Sequence, residues 1–531
     1  MAEEQTVQEK QGITRDKVLF WGCFIALIAT AFGFIIRALI IGDWAVEFDL
    51  TETQKGELMG VGLWPFAISI VLFSLVIDRI GYGRAMVFAF VCHVVSAIIT
   101  IGAPWVASRS DDPSATAYWT LYIGQFIVAL GNGTVEAVIN PVVATIFPKE
   151  KTKWLNILHA GWPGGLVLGG IFTLLLPVSF DWQWKIGLIL IPTVIYGLML
   201  VSRKFPVHER VAAGISYRDM LGEAGILGCL IVVGLMTREV GRVFEIPNLW
   251  QVVIVVVLTG AYGAYVRTLG RPLFIFLLLI MCPLAITELG TDTWITELMK
   301  PEMVQLGLQA GWVLVYTSLI MMILRFFFAG PIVQKLTPLG LLSLSAVIAI
   351  LGLAFLSRSA GIAILAAATV YGLGKSFFWP TMLGVVAEQF PRGGALTINT
   401  IAGVGMLAVG TLGAPLLGYI QDTTIDDALA QYDTQNQTAL HEKYTVEKES
   451  IFGTYQGIDT EQVAQAPEEE KATVTQVQDR AKKNALLRVA IFPSIMLVCY
   501  LILLGYFRSK GGYAAVHLDE AGLEESAAVE R

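Results

Sequence analysis

The chain has 531 residues, of which 55% are hydrophobic and 15% charged, and its formal net charge is −7. Soluble domains carry about 25% charged residues, so this composition excludes a protein that covers its whole surface with charge, and no basic cluster indicates a nucleic-acid partner. The cysteines lie inside apolar stretches without metal-ligand spacing. They are predicted to be small buried side chains and not a disulfide framework or a zinc site: Cys23, Cys92, Cys229, Cys282 and Cys499.

Long apolar stretches recur from the beginning of the chain almost to its end. A bilayer core of about 30 Å requires about 20 apolar residues per helix, and residues 18–41 meet that length with Arg37 as their only charge. A soluble protein with buried core helices would need polar helix faces, which these segments lack. The polar segment 1–17 has neither the apolar core nor the cleavage site of a signal peptide, so the first helix is expected to remain in the mature protein.

The apolar runs predict fourteen membrane spans in an arrangement of six, two and six. Residues 221–237 form the weakest span because they are short and carry Glu223. The predicted spans are 18–41, 56–77, 84–104, 118–147, 156–177, 184–202, 221–237, 250–266, 272–299, 308–334, 339–357, 360–387, 395–419 and 486–507.

The distribution of lysine and arginine predicts the orientation. Cytoplasmic loops collect these residues, and they concentrate on the side that carries both termini and the polar segment 203–220. An even number of extra helices keeps the second set of six oriented like the first. The chain is therefore predicted to be a multi-pass protein of the plasma or inner membrane with both termini cytoplasmic. The predicted units are 1–17 as the N-terminus, 18–202 as the first bundle, 203–220 as the linker, 221–271 as two extra helices, 272–507 as the second bundle and 508–531 as the tail.

Residues 422–484 form a long, polar and acidic insertion between the last two spans. Parity places this segment outside the cell, and its composition offers little apolar surface for a firm core. The sequence predicts a partly helical cap or a mobile loop there, and a disordered tail after Gly511.

Between the second and third spans the sequence reads Asp78-Arg79-Ile80-Gly81-Tyr82-Gly83-Arg84, and a diverged echo is present at Gly330, Gln334, Lys335, Pro338 and Gly340. This charged motif resembles the cytoplasmic signature of the major facilitator superfamily. The resemblance implies a conformational latch between Asp78 and Arg84, in which an acid at a helix end forms charge-assisted bonds with arginine that break and reform during transport. Ordinary positive-inside loop charges are the alternative, and Ser74 stands where the family has glycine.

Four further segments contain distinctive motifs: Gly131-Asn132-Gly133-Thr134-Val135-Glu136-Ala137-Val138-Ile139-Asn140-Pro141, Leu155-Asn156-Ile157-Leu158-His159, Leu324-Arg325-Phe326 with Pro338, and Trp379-Pro380-Thr381. These segments resemble the fucose and glucose–galactose proton symporters of that superfamily. The resemblance covers the six-plus-six helices and leaves out the two extra helices and the insertion 422–484. It predicts an all-α integral membrane protein with the major facilitator fold, made of two six-helix bundles and two extra central helices.

The resemblance assigns the binding of sugar hydroxyls to Glu136. In those symporters an acid on the first helix carries the proton, but this sequence has Ala38 at that place, with Arg37 beside it. Trp162 stands where the family has a polar substrate-binding residue. Proton coupling in the family's manner is therefore not implied by these positions.

Charged residues inside the predicted spans are the main site candidates. A charge at the bilayer centre costs at least about 2.5–3.5 kcal/mol, so such residues serve function or pairing. Glu136 and Lys375 fall near the midplane and are predicted to form a pair across the halves, either fixed or lining the cavity. Glu288 and Asp292, at i and i+4, suit a gate or polar rim.

Arg37 lies near an outer helix end, where a snorkelling side chain is the alternative to a site role. Arg325 either braces a helix end or touches substrate. Trp162 and Trp379 precede prolines within spans, where an aromatic face suits a sugar ring but core packing is equally compatible. His159 is expected to form a helix-end hydrogen bond, and Asn140 and Asn156 complete the predicted set.

The predicted function is secondary active transport of a small polar solute, most simply a sugar or sugar-like compound, by alternating access coupled to a proton or sodium ion. A drug or metabolite efflux antiporter, a peptide-type transporter with fourteen helices and a non-transporting sensor are the alternatives. An enzyme is not expected, since the sequence lacks a phosphate-binding glycine loop and a catalytic triad order. No cofactor or metal is expected, and the expected partners are the solute and the lipid bilayer, with the protein as a monomer.

Overall fold

The computed structural model describes residues 2–177, 180–292, 311–359, 363–450 and 452–518, together with positions 303, 307, 309 and 361. The first part of the chain folds into six membrane crossings, and several of them consist of two helices in line. The bounds are α1 Ala2–Phe48, α2 Glu52–Gly60, α3 Trp64–Ile80, α4 Tyr82–Ile101, α5 Ala103–Ala107, α6 Pro113–Ile146, α7 Lys151–Leu158, α8 Gly161–Leu175, α9 Trp182–Gly187 and α10 Leu190–Leu200.

A linker and a helical hairpin follow, formed by α11 Glu209–Ala212, α12 Tyr217–Val243 and α13 Asn248–Val266. Helix α12 is broken at Gly225, whose φ is 59°. A Cβ at Gly225 would lie 2.0 Å from the backbone nitrogen of Gly270, so only glycine lets the returning chain cross there. Helix α12 continues to Val243, beyond the predicted end of the span at residue 237. In this extension Arg242 pairs with Glu239 at i, i+3 (2.7 Å), which favours the helix.

The second half contains three π-helical turns, which directly follow α14, α15 and α19 of the list below. The bounds are α14 Pro272–Ala285, α15 Trp312–Ile323, α16 Ala329–Leu356, α17 Ala363–Lys375, α18 Phe378–Gln389, α19 Gly394–Ala408, α20 Ala414–Asn436, α21 Leu440–Tyr444, β1 Thr445–Ser450, β2 Gly453–Ile458, α22 Thr460–Ala464, α23 Glu468–Val489 and α24 Ile491–Ser509. The π turns are Ile286–Gly290, Leu324–Phe328 and Val409–Gly413, and a 3₁₀ turn spans Pro391–Gly393.

Twelve helices in the described part of the chain are long and apolar enough to cross a membrane. One of them, Trp312–Leu356, contains the non-helical residue Thr337 before Pro338 and therefore comprises two crossings. Helices α17 and α18 have 13 and 12 residues, so each is too short alone and only the in-line pair has the length of a crossing. The helices are thus consistent with the predicted fourteen spans.

The two halves contact each other along several helix pairs, among them α3 with α19, α8 with α15 and α7 with α18. Gly403 of α19 lies against Val71 of α3, and a Cβ on that glycine would approach the valine side chain to 2.6 Å. Gly170 of α8 lies equally close to Val315 of α15. Small residues allow such close approach of helices in membranes. The polar residues of α6, α7, α14, α15 and α17–α19 are thereby brought together between the halves.

The insertion between the last two crossings is a folded cap, which agrees with the predicted partly helical cap and not with a mobile loop. The expectation that it lacks an apolar core was wrong. Helix α20 runs beyond the membrane part and packs against α23, and the antiparallel β1–β2 hairpin closes the unit. Seven apolar residues are buried at its centre: Ile425, Leu429, Leu440, Tyr444, Ile458, Val474 and Ala481. This hairpin is also a departure from an entirely α-helical chain.

We call the end of the molecule with segments 147–153, 203–216, 388–394 and 510–516 the linker face, and the opposite end the cap face. The tail was predicted to be disordered after Gly511, but its first residues are bound at the linker face. Tyr513 donates to the Glu388 carboxylate (2.7 Å), and the Val516 amide donates to the Glu388 carbonyl (2.8 Å). The rest of that prediction, 519–531, lies outside the described residues.

Candidate functional site

Glu136, the acid predicted to bind substrate, is buried, and its side chain belongs to a hydrogen-bonded triad within the first half. The Asn140 amide donates to its carboxylate (2.7 Å) and to its carbonyl (3.1 Å). The other end of the Asn140 side chain bonds His159 Nε2 (2.8 Å). This arrangement requires His159 Nε2 to carry hydrogen, because the Asn140 oxygen is the acceptor. Within the described residues no lysine or arginine forms a salt bridge with Glu136.

Pro141 creates a second polar feature one turn along α6. Proline has no N–H, so the carbonyl of Ala137 four residues earlier loses its helical donor. Asn399 of α19 supplies the missing bond from the other half, with its Nδ2 at 2.9 Å from that carbonyl. Asn399 was not among the predicted site residues, although a polar amide in the middle of an apolar span indicates a functional position.

The second half contributes a buried ion pair. Arg325 donates to the Glu288 carboxylate, and both side chains are almost fully buried. The second Glu288 oxygen accepts the backbone N–H of Trp379 at the start of α18 (2.7 Å), a place where helix N–H groups lack helical partners. Arg325 also donates to the carbonyl of His159 across the halves (3.0 Å). Arg325 therefore contacts both halves, whereas its predicted roles were to brace a helix end or to touch substrate.

Lys375 pairs with Asp292 and not with Glu136, so the predicted charge pair across the halves is absent from this conformation. Its Nζ contacts the Asp292 carboxylate and the Glu288 carbonyl (3.2 Å). The reason is local geometry: Glu288 and Asp292 are one turn apart on the chain segment that packs beside α17. Lys375 is thus neutralised inside its own half.

These contacts form one continuous polar network. It runs from Glu136 through Asn140 and His159, crosses between the halves at the His159 carbonyl, and continues through Arg325 to Glu288. Asn156 adds a parallel link nearer the linker face, because its amide donates to Thr381 Oγ1 of α18 (3.1 Å).

The two tryptophans differ in their relation to this network. Trp162 is half-buried and packs on Phe34, with ring centroids 5.9 Å apart. Trp379 takes part only through its backbone, and its ring packs closely against Gly405 within the second half. Of the two, Trp162 is the one whose ring stands beside the interface between the halves.

Arg37 is buried between α1 and α4 and does not snorkel to a membrane surface. Its exposed fraction is 3%, and its guanidinium donates to Ser96 Oγ (2.9 Å) and to the Gly33 carbonyl (3.3 Å). None of its described contacts reaches the Glu136 network. Arg37 is therefore not hydrogen-bonded to the other predicted site residues.

The acid of the charged motif after α3 forms an ion pair, but with a different arginine from the predicted one. Asp78 pairs with Arg210 of the linker, and Arg84 is exposed. Arg79 stacks over the ring of Tyr217 at 4.9 Å. Gly81, with φ 84°, turns the chain directly after this point. The linker lies across the end of α3, which brings Arg210 and not Arg84 to the acid.

Contacts between the halves close the linker face. The Glu388 carboxylate accepts the backbone N–H (3.1 Å) and hydroxyl (2.6 Å) of Thr152 in the first turn of α7. Lys151 reaches Glu209 and the Ala387 carbonyl (3.1 Å). These residues were not among the predicted site residues. They belong to a basic segment in one half and include an acid near a helix end in the other half.

The linker also contains a buried histidine. Burial, together with the neighbouring charges of Lys151 and Arg210, lowers the pKa of His208 to about 3. Its Nδ1 accepts the backbone N–H of Arg210 (3.2 Å), which requires the neutral ring. Among the described residues, no cluster of three or more histidine, cysteine or acidic side chains suits a metal ion.

Helices that cross a membrane in two halves, with a polar network between the halves, define a polytopic membrane transport protein. The chain belongs to the Major Facilitator Superfamily, whose family model matches residues 22–414. It is therefore a transporter of that superfamily.

Solved structures of other members share the fold at low sequence identity. The proton:xylose symporter XylE is 15% identical, with a TM-score of 0.54 over 76% of this chain and 89% of its own. The human organic anion transporter TETRAN is 12% identical, with a TM-score of 0.54 over 91% and 99%. The E. coli fucose:proton symporter FucP is 14% identical, with a TM-score of 0.52 over 89% and 98%.

Proposed function

We propose that this transporter moves a small hydroxylated solute, a sugar or sugar-like compound, together with protons by alternating access. The observation that carries the proposal is the polar network from Glu136 to Arg325, which joins the two halves. Glu136 lies about 15 Å from the end of α6 and is therefore near the midplane of the membrane. Binding sites of such transporters lie at that depth between the repeats.

Separation of the halves would release hydrogen-bonding groups at the right place. The bonds from Arg325 to the His159 carbonyl and from Asn399 to the Ala137 carbonyl both cross between halves. Buried polar groups are costly to leave unpaired, so a solute rich in hydroxyl groups is a fitting replacement partner. The half-buried ring of Trp162 offers an apolar face to a sugar ring. The fold shared with xylose and fucose symporters is compatible with this substrate class.

The proton is the coupling ion that the surroundings of Glu136 favour. A buried carboxylate without a cationic partner is costly, and protonation removes that cost. Glu136 is 4% exposed and its described side-chain partner is the neutral Asn140 amide. Opening of the site to water would allow the proton to leave, so that one proton is carried in each cycle.

We propose further that the linker face is cytoplasmic and that the protein resides in the plasma or inner membrane. The excess of lysine and arginine on this face supports the orientation. In that orientation the bonds of Glu388 to Thr152 close the cytoplasmic side. Both termini would then be cytoplasmic and the cap extracellular or periplasmic.

Transport by the purified protein in liposomes tests the proposal. A panel of labelled sugars, sugar acids, peptides and drugs is offered with a pH gradient, with a sodium gradient and with neither. We expect accumulation of a hydroxylated solute that depends on the pH gradient and not on sodium. Accumulation driven by sodium alone would contradict the proton coupling, and transport of only apolar drugs would contradict the substrate class.

The variant Glu136→Gln keeps size and hydrogen bonding but cannot ionise. We expect it to lose gradient-driven accumulation while counterflow exchange survives, with Glu461→Gln in the cap as the matched control. Loss of both activities in a folded variant would indicate direct substrate binding by the acid. Accumulation equal to that of the parent protein would show that Glu136 is structural.

A further inference from the structure

A polar cavity lies within the first half, on the cap side of the Glu136 network. Its volume is about 20 Å³, which is room for about one water molecule or one carboxylate oxygen. It lies between α1, the turn joining α2 to α3, and α6, and its polar lining residues are Arg37, Gln125 and Asn132. Asn132 precedes Glu136 by one helical turn, which places the two about 6 Å apart along α6. The cavity is thus adjacent to the proposed site but built from other residues.

Arg37 is the unusual member of this lining because its charge has no counterpart. Two of its nitrogens bond neutral acceptors, Ser96 Oγ and the Gly33 carbonyl, and Nε has no hydrogen-bond partner among the described residues. No acid among the residues that the structure describes forms a salt bridge with Arg37. A buried charge without a counter-charge is strongly unfavourable, so the site is suited to an incoming anion.

The neighbouring amides are oriented as further donors. Tyr196 donates to His93 Nδ1 (3.0 Å), so His93 Nε2 carries hydrogen and donates to Asn132 Oδ1 (2.9 Å). That contact leaves the Asn132 Nδ2 group without a protein acceptor in the described residues. Gln125 is buried, lines the same cavity, and its amide likewise has no described side-chain hydrogen bond.

The backbone makes room for this arrangement at one glycine. A Cβ on Gly33 would lie 3.0 Å from Arg37 Nη1, so a larger residue would displace the guanidinium. Arginine suits a carboxylate because its planar fork of donors matches the two carboxylate oxygens. Arg37 Nε, which lacks a described partner, and the amides of Gln125 and Asn132 in the lining of the same cavity are therefore a set of donors suited to a carboxylate oxygen.

We propose that the Arg37 cavity binds the carboxylate of the transported solute, which makes the substrate a sugar acid or related polyhydroxy acid and not a neutral sugar. The assignment rests on the proposed function, because it places the hydroxyl groups of the same solute at Glu136, which lies one helical turn from Asn132 of the cavity lining. A solute with one negative charge, moved with one proton, crosses the membrane without net charge.

Thermal unfolding of the purified full chain in detergent tests this assignment. The buffer contains a bulky sulfonate as its only anion, and the probes are glucuronate, glucose, acetate and chloride. A ligand that binds only the folded state raises Tm. We expect glucuronate to raise Tm by several degrees, acetate by less, and glucose and chloride by little.

Two arginine variants separate charge from shape. Arg37→Gln should lose the excess shift of glucuronate over glucose, whereas Arg37→Lys should keep part of it because the charge remains. Gln125→Leu leaves the described bonds of Arg37 intact and should weaken glucuronate binding several-fold. It keeps the proposal testable if Arg37→Gln does not fold.

Three results would overturn the assignment. They are equal stabilisation by chloride with no further gain from glucuronate, the same glucuronate shift in Arg37→Gln as in the parent protein, and no shift with any carboxylate. An Arg37-dependent shift with acetate and glucuronate, in a protein that transports no sugar or sugar acid in liposomes, would retain the carboxylate site and reject the proposed function.

Discussion

Asn399 of the second half donates to the Ala137 carbonyl of the first half, 2.9 Å away, at the point where Pro141 leaves that carbonyl without a helical donor. A proline break in one half is therefore completed by an amide from the other. Because the bond crosses the interface, it exists only while the halves are closed around it. The hydrogen bond of Asn399 is therefore expected to stabilise the closed conformation specifically.

Replacement Asn399→Ala should shift the conformational balance away from this closed state. An unsatisfied buried polar group costs about 1–3 kcal/mol, which corresponds to at least a several-fold change in the population ratio. Spin labels at positions 149 and 335, both exposed and on opposite halves of the linker face, report the change as a longer distance. The control is Thr411→Ala, whose hydroxyl bonds the Leu407 carbonyl of its own chain segment (2.7 Å). Equal distances in Asn399→Ala and the parent protein would contradict this role.

Asp78→Asn should lower the transport rate while leaving equilibrium substrate binding within a few-fold. The acid pairs with Arg210 at the linker face, far from the proposed site, so its loss alters the latch and not the solute contacts. Arg210→Gln should have the same effect, whereas Arg84→Gln should have little, because Arg84 is exposed. A large effect of Arg84→Gln with a silent Arg210→Gln would restore the pairing expected from the motif.

Glu288→Gln and Arg325→Met should each lower stability strongly, by about 3–5 kcal/mol, because each leaves one buried charge without its partner. The double variant should recover much of the loss in Tm, since it removes both charges while the glutamine oxygen remains an acceptor for the Trp379 amide. Transport should remain impaired in the double variant. Additive losses in Tm would show that the two side chains are not coupled.

His208 should make stability depend on pH. Its pKa is about 3 in the folded protein, because of burial and the charges of Lys151 and Arg210, and about 6.5 when unfolded. The unfolded state therefore binds a proton first as pH falls, so the stability contributed by neutral His208 is complete above pH 6.5 and decreases from there toward pH 3. The loss between pH 7 and pH 5 is about 2 kcal/mol.

The measurement is Tm at pH 7 and pH 5 for the parent protein and His208→Gln. We expect the decrease in Tm to be smaller in the variant, because it has lost one proton-linked group. His517→Gln, in the exposed end of the described tail, is the control and should behave like the parent protein. An unchanged pH dependence in His208→Gln would show that His208 does not contribute.

The succession of crossings was predictable from the sequence because it depends on a local quantity. A segment of about 20 apolar residues must pair its own backbone groups in lipid and therefore forms a helix wherever it stands in the chain. The same reasoning located Glu136, Arg325 and Lys375 as costly buried charges. The superfamily was likewise recognisable from contiguous motifs, and the family model over residues 22–414 confirms it.

The partners of the buried charges were decided only by the tertiary structure. Whether Lys375 meets Glu136 or Asp292, and whether Asp78 meets Arg84 or Arg210, depends on the rotation and lateral packing of helices far apart in sequence. The burial of Arg37 and the apolar core of the cap have the same origin, since both arise where helices meet. Helix formation is a property of single segments, but the pairing of their side chains is a property of the assembled bundle.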